Sequence, residues 1–401
     1  MTLEADGFEK FLTGELAETS RLNLRRELKT LESPQMPRIV FNDRTYANFS
    51  SNDYLGLASH PALMAAACEE WTRGGFGSGA SRLICGNMSA HEKLESELAD
   101  FKRTESALTF GSGYAAAMGT IPALCGKNDV IILDKLSHAC LVDAARLSGA
   151  VLRVFPHNDL ERLESHLRWA RRTHSNARIL VVVESVYSMD GDLAPLLEIV
   201  ELKDRHGAWL FLDEAHGVGV LGPNGGGLAE ELQLADRIEI QMGTLGKAFG
   251  AHGAYIAGSR ALRDFLINRA RSLIFSTSPP PPVVAAANQA LHILRSPEGK
   301  ILRESLWRNI RLLAEAFEVP AASSAIIPVI IGPEAVAVDI SHQLLDAGFI
   351  VSAIRFPTVA RGSARLRLTA AAGQDPTDIT ALATAWKQCA LPYIHKASGV
   401  V

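Results

Sequence analysis

The sequence predicts an α/β fold: a large domain built on a mostly parallel sheet, then a smaller α+β C-terminal domain. Three observations carry this. Residues 130–133 (Val-Ile-Ile-Leu), 179–183 (Ile-Leu-Val-Val-Val) and 209–212 (Trp-Leu-Phe-Leu) are unbroken apolar runs of strand length. Strands buried on both faces read this way. Between them, residues 159–172 and 193–206 carry apolar side chains at helical spacing, so strands and helices alternate. The four prolines at 279–282 then break the pattern, since proline suits neither a helix interior nor a central strand.

The elements follow in order. Phe8, Leu12 and Leu16 recur at i, i+4 and i+8 and mark one helix face. With the basic cluster Arg21, Arg25 and Arg26 behind them, they belong to an N-terminal arm over residues 1–50. Residues 51–283 hold the alternating pattern of the large domain. Residues 284–401 open on a helical stretch and continue with mixed α and β patterning.

Composition narrows the function classes. The 401 residues are 47% hydrophobic and 21% charged, with a net charge of −4. Such a chain can bury a core, which excludes a disordered chain. It has no global basic field, so no nucleic-acid partner is expected. Five cysteines, at 68, 85, 125, 140 and 389, are scattered without a C-x-x-C pair, which suggests neither a disulfide framework nor a zinc site. No metal is expected. A reducing compartment suits that usage. Residues 1–6 are acidic where a secretion signal is basic and then apolar, and no run of about 18 apolar residues occurs. The expectation is a cytoplasmic protein without a membrane partner.

Ligands of open parallel sheets bind beyond the carboxyl ends of the strands. Four successive strand ends carry polar or ionisable groups here: Asp134-Lys-Leu-Ser-His138, Glu184-Ser-Val-Tyr-Ser188, Asp213-Glu-Ala-His216-Gly217, and Gly243-Thr244-Leu-Gly246-Lys247 after an apolar run at 238–242. Lys247 sits among glycines in an apolar stretch. A lysine in such surroundings has a lowered pKa and serves as a Schiff-base amine. An aspartate at one strand end and a lysine past the next suit pyridoxal 5′-phosphate (PLP), with Asp213 keeping the pyridine nitrogen protonated. Phe110-Gly111-Ser112-Gly113-Tyr114, ahead of a helical Ala115-Ala-Ala-Met118, supplies backbone donors for its phosphate. Gly217-Val-Gly219-Val-Leu-Gly222 matches a dinucleotide fingerprint but runs into Pro223-Asn-Gly-Gly-Gly227, which opens no helix.

With these residues in place, the chain resembles the α-oxoamine synthases, PLP-dependent transferases of fold type I. The motifs occur in family order: Ser50-Ser-Asn-Asp-Tyr-Leu-Gly-Leu57, Gly77-Ser-Gly-Ala-Ser-Arg-Leu83 with Gly86 and His91, Ser188-Met-Asp-Gly-Asp192, Asp213-Glu-Ala-His-Gly217, Gly243-Thr-Leu-Gly-Lys247, Phe275-Ser-Thr-Ser278 and Arg365-Leu-Arg-Leu-Thr369. Asn52-Asp-Tyr-Leu-Gly-Leu57 and Ala353-Ile-Arg-Phe-Pro-Thr-Val359 point to the biotin-synthesis branch. Phe356 and Ala360 stand where that branch often has proline.

The resemblance implies roles. Lys247 would hold PLP and later move protons at the substrate Cα. Asp213 would pair with the pyridinium nitrogen, and His138 would stack on the ring. His216 and Ser188 would contact its O3′ side. Gly113, Tyr114 and Thr244 would serve the phosphate, joined by Thr277 from a neighbouring subunit of a homodimer. Arg367 would bind the amino-acid carboxylate, and Arg25, Arg355 and Thr358 would line the substrate side, with Arg25 and Arg355 candidates to meet the far carboxylate of the acyl chain. The implied reaction is decarboxylative condensation of L-alanine with a pimeloyl thioester, carried on CoA or acyl carrier protein. The alternative within the family is a glycine-using acetyltransferase.

Overall fold

The apolar runs stand side by side at the centre of the computed structural model, which describes residues 6–22, 24–26, 28–319 and 322–397. Two short strands come first, β1 (Arg38–Phe41) and β2 (Arg44–Asn48). The central sheet follows: β3 (Ser106–Phe110), β4 (Val130–Asp134), β5 (Val151–Phe155), β6 (Ile179–Glu184), β7 (Trp209–Asp213), β8 (Ile240–Thr244) and β9 (Ala254–Gly258). Its order is β3-β9-β8-β7-β6-β4-β5. Strands β5, β4, β6, β7 and β8 run parallel, and β9 pairs antiparallel with β8 and β3. All six residues of β6 are buried, as its unbroken apolar run requires. Helices cover the sheet. One of them, Leu160–Thr173, turns Leu163, Leu167 and Ala170 inward and is capped by Asp159, whose carboxylate accepts from the Arg162 N–H at 2.9 Å.

The C-terminal part adds β10 (Ile326–Gly332), β11 (Phe349–Ile350), β12 (Ser352–Ile354) and β13 (Ala364–Thr369). Strands β10, β13 and β12 form an antiparallel sheet, while β11 runs parallel to β2. The N-terminal segment therefore contributes two strands besides its helix, Asp6–Arg21, and one of them joins the C-terminal part.

Two local expectations are corrected. The proline run does not exclude helix: Pro281 and Pro282 open the helix Pro281–Arg295. The first helical turn has no intrahelical use for an N–H, and proline's fixed φ suits it. The strand read at 238–242 lies two residues later, so Gly243 and Thr244 belong to β8. Among the described residues, no helix is long and apolar enough to cross a membrane.

Candidate active site

Parallel pairing sets Glu184 of β6 directly beside Asp213 of β7. Both are buried. Burial pushes the Asp213 carboxyl up to about 6, against the charge of Lys247 and the Ala215 N–H that its Oδ1 accepts at 2.8 Å. Burial and Asp213 raise Glu184 as well, and Glu184 accepts from the His138 N–H. Two carboxyl groups taken out of water side by side at the carboxyl ends of neighbouring strands each resist ionisation.

Lys247 stands half-buried just past β8, the strand next to β7. Burial lowers its pKa, while Asp213 and Glu184 hold it up. Its Nζ lies 3.1 Å from Nε2 of His216. On the far side of that ring, Nδ1 lies 2.5 Å from the Tyr54 hydroxyl. Burial, with the charges of Lys247 and Arg367, keeps His216 neutral by holding its pKa well below the ordinary value. The Tyr54 hydroxyl also lies 3.3 Å from Asn52 Oδ1, which accepts from both Nη groups of Arg367 at 3.2 Å. A continuous polar chain thus runs Lys247–His216–Tyr54–Asn52–Arg367. Arg367, on β13, is itself buried and donates from Nε to the Ser188 carbonyl at 2.6 Å. This brings five predicted site residues together: Lys247, Asp213, His216, Ser188 and Arg367.

His138 caps the helix Ala139–Leu147, its Nδ1 accepting from the Cys140 N–H at 3.2 Å. Partial burial and the charge on Lys247 lower its pKa. The helix Gly113–Leu124 starts at Gly113, with Ser112 as its cap and no acidic residue in the first turn. A Cβ on Gly113 would stand 2.9 Å from the Thr244 methyl, so only glycine lets this helix start approach the end of β8 so closely. Tyr114 is exposed, its hydroxyl donating to Asp143 at 2.8 Å.

PLP fits these residues. The Thr244 hydroxyl is buried without a hydrogen-bond partner among the described residues, as are those of Ser137 and Ser185 at neighbouring strand ends. Unsatisfied buried hydroxyls are costly. A helix N-terminus with free amides and an orphan threonine suit a phosphate, and a buried carboxylate suits a cationic ring nitrogen.

The remaining predicted residues lie elsewhere. Arg25, Arg355 and Thr358 line one cavity of about 780 Å³, with Arg26 and Lys29, and its lining includes neither Lys247 nor Arg367. There Arg355 donates to the Arg25 carbonyl at 3.0 Å, and Arg26 donates to the Thr358 hydroxyl at 3.3 Å. Thr277 is exposed, in a segment bridged to Ser81. Sequence reasoning assigned no role to Tyr54, Asn52 or Glu184. Asn52 and Tyr54 lie within the Ser50–Leu57 motif and Glu184 ends an apolar run, and those were the available signals.

Comparison with known proteins gives the family. A family model described as aminotransferase class I and II matches residues 44–385. An 8-amino-7-oxononanoate synthase from Geobacter sulfurreducens is 47% identical over 92% of this chain and 95% of its own length. One from Pelobacter propionicus is 46% identical over 96% and 98%. Among solved structures, a serine palmitoyltransferase from Sphingomonas wittichii superposes with a TM-score of 0.89 at 31% identity, covering 98% of this chain and 99% of that one. An 8-amino-7-oxononanoate synthase from Francisella tularensis gives 0.73 at 28%, covering 87% and 99%.

Proposed function

This chain belongs to the aminotransferase class I and II family, and we propose that it condenses L-alanine with a pimeloyl thioester to give 8-amino-7-oxononanoate in biotin synthesis. A bond forms between the amino-acid Cα and the thioester carbonyl, the thiol departs, and the amino-acid carboxylate leaves as CO2. The cofactor is PLP, which supplies, when bound, a sink for the electrons left at Cα. The observation that carries the reading is the Lys247–His216 pair beside buried Asp213, in a chain 46–47% identical to named synthases. The serine palmitoyltransferase likeness, at 31% identity, speaks for a shared fold and cofactor; the higher identity favours the biotin branch.

The residues divide the work. Lys247 would hold the cofactor covalently. Burial lowers its pKa, which eases its part as the amine that takes the proton from Cα and returns one later. Neutral His216, fixed by Tyr54, orients that amine and, with Ser188, would serve the O3′ side of the cofactor. Asp213 would pair with the ring nitrogen and keep it protonated, and His138 would stack on the ring. Gly113, Tyr114 and Thr244 would hold the phosphate. Arg367 binds the alanine carboxylate as a planar fork. Arg25, Arg355 and Thr358 meet the acyl chain, whose far carboxylate suits their cavity. The carrier is CoA or acyl carrier protein.

The working unit is a homodimer with shared sites, Thr277 reaching the neighbour's phosphate. Exposed Ile84 and Phe275, at 79% and 71%, flank the Ser81–Thr277 bridge and support a buried interface there. Cytoplasmic placement is supported by five free cysteines. Formation of 8-amino-7-oxononanoate by the purified protein, measured against the acetyl-CoA and glycine pair, tests the reading.

A further inference from the structure

His157, just past β5, is held between carboxylates from two other elements. Its Nδ1 lies 3.1 and 3.2 Å from the two oxygens of Asp134, at the end of β4, and its Nε2 lies 2.7 Å from Oδ2 of Asp192. An ionised carboxylate only accepts, so both ring nitrogens donate and the ring is an imidazolium. Partial burial works against that charge, but hydrogen bonds to Asp134 and Asp192 hold its pKa up at about 10. Tyr187 meets the ring edge-on, with centroids 4.3 Å apart. Asn158 completes the cluster. Its N–H donates to Asp134 at 3.0 Å, and its side-chain amide donates to Asp192 at 3.2 Å and to the Leu193 carbonyl at 3.1 Å.

Asp192 ends a tight turn that starts after β6. The turn is closed by Tyr187 N–H to the Asp192 carbonyl at 3.1 Å and Gly191 N–H to the Tyr187 carbonyl at 2.8 Å. Gly191 has φ +70°, and a Cβ there would stand 2.2 Å from the Ile326 carbonyl oxygen, so the turn lies flush against β10 and needs glycine. The C-terminal part grips the same turn. Arg365 donates to Asp190 at 2.5 Å and to the Met189 carbonyl at 3.2 Å, Ser324 donates to the Gly191 carbonyl at 2.8 Å, and Arg367 donates to the Ser188 carbonyl at 2.6 Å. The turn is therefore the joint between the central sheet and the strand that carries Arg367, and His157 anchors its sheet side.

We propose that His157 is a positioning residue for amino-acid binding: by clamping Asp192 to Asp134 it fixes the turn whose Ser188 carbonyl aims the Arg367 guanidinium. This rests on the reading of Arg367 as the carboxylate anchor. A residue acting only on global stability would weaken every ligand alike, whereas a clamp on this turn singles out the amino acid.

The test titrates PLP-loaded protein with L-alanine, without acyl donor, and reads the change in visible absorbance. His157→Gln is expected to raise the alanine dissociation constant about tenfold, the size of coupling usual between residues in one hydrogen-bond network. The dissociation constant for PLP and the KM for pimeloyl-CoA stay within about twofold, well under that coupling. Asp192→Asn, at a side chain 42% exposed and easier to tolerate, weakens alanine in the same direction. The double variant is weaker by less than the product of the two, because both break one clamp. Alanine binding unchanged in both single variants overturns the proposal, as does an equal loss for alanine, PLP and donor. Arg367→Ala separates the two readings. If it leaves alanine binding intact, the anchor reading falls and the clamp falls with it. If it weakens alanine binding while His157→Gln does not, the clamp alone falls.

Discussion

The Nζ of Lys247 stands 3.1 Å from Nε2 of His216, a ring whose other nitrogen is held by Tyr54. Because burial keeps that imidazole neutral, it offers the lysine a hydrogen bond without a competing charge. An amine in such a setting is a nucleophile near neutral pH.

Borohydride reduction of the PLP-loaded protein is accordingly expected to fix the cofactor on the peptide containing Lys247. Lys247→Ala should retain no label after the same treatment. Peptide mass spectrometry reads both outcomes, and label on a different lysine would remove Lys247 from its role.

Asp213→Asn separates charge from shape. The asparagine oxygen can still accept the Ala215 N–H that now bonds Oδ1, so the local fold survives. An amide cannot hold the ring nitrogen protonated by charge, and turnover should fall by about a hundredfold or more. Stability should move the other way in cofactor-free protein. The buried carboxyl has its pKa raised to about 6, so the folded state binds that proton more tightly than the unfolded one. Its contribution to stability is present below the ordinary carboxyl pKa and lost as pH rises through 6. At pH 7 the cofactor-free variant should melt no lower than wild type, which scanning calorimetry checks.

How much of this was legible in the sequence follows from how local each signal is. Asp213 and Lys247 each follow an apolar strand run, so the topology of a parallel sheet places them at one edge, and the sequence marks them directly. Gly113 was legible because a glycine turn ahead of a helix is a local pattern. The polar chain behind Lys247 was not. Tyr54 meets His216 across 162 residues of sequence, and Asn52 meets Arg367 across 315. No periodicity reports such pairs. The pairing of β2 with β11 is hidden for the same reason, since a strand's partner is set by tertiary packing and not by its own residues. The proline run misled because position within a helix, and not residue type alone, decides whether proline is tolerated.

The His157 clamp gives stability a signature at alkaline pH. Held at about 10 in the folded protein, against an ordinary value of 6.5, the imidazolium stabilises fully below 6.5. That contribution is lost progressively as pH rises through 10. Between pH 7 and 10 the melting temperature of wild type should therefore fall more than that of His157→Gln. Parallel slopes would show that the ring carries no charge in the folded state.

Shared sites can be tested by mixing subunits. Lys247→Ala and Thr277→Ala parents are both expected to be impaired. In a hybrid with shared sites, one site carries both lesions and the other carries neither, so activity exceeds the mean of the parents once subunits exchange. Activity equal to that mean, with exchange verified by native mass spectrometry, would place each site within one subunit.

The most direct measurement pits substrate pairs against one another on the purified, PLP-loaded protein. L-Alanine with pimeloyl-CoA should yield 8-amino-7-oxononanoate, identified by mass, with one CO2 and one free thiol per product, and at a kcat/KM well above that for glycine with acetyl-CoA. A methyl group in a pocket is worth only about 1–3 kcal/mol, so the acyl chain, not alanine alone, should carry most of the preference. A clear preference for glycine with acetyl-CoA would contradict the biotin-branch assignment while leaving the lysine–aspartate chemistry in place.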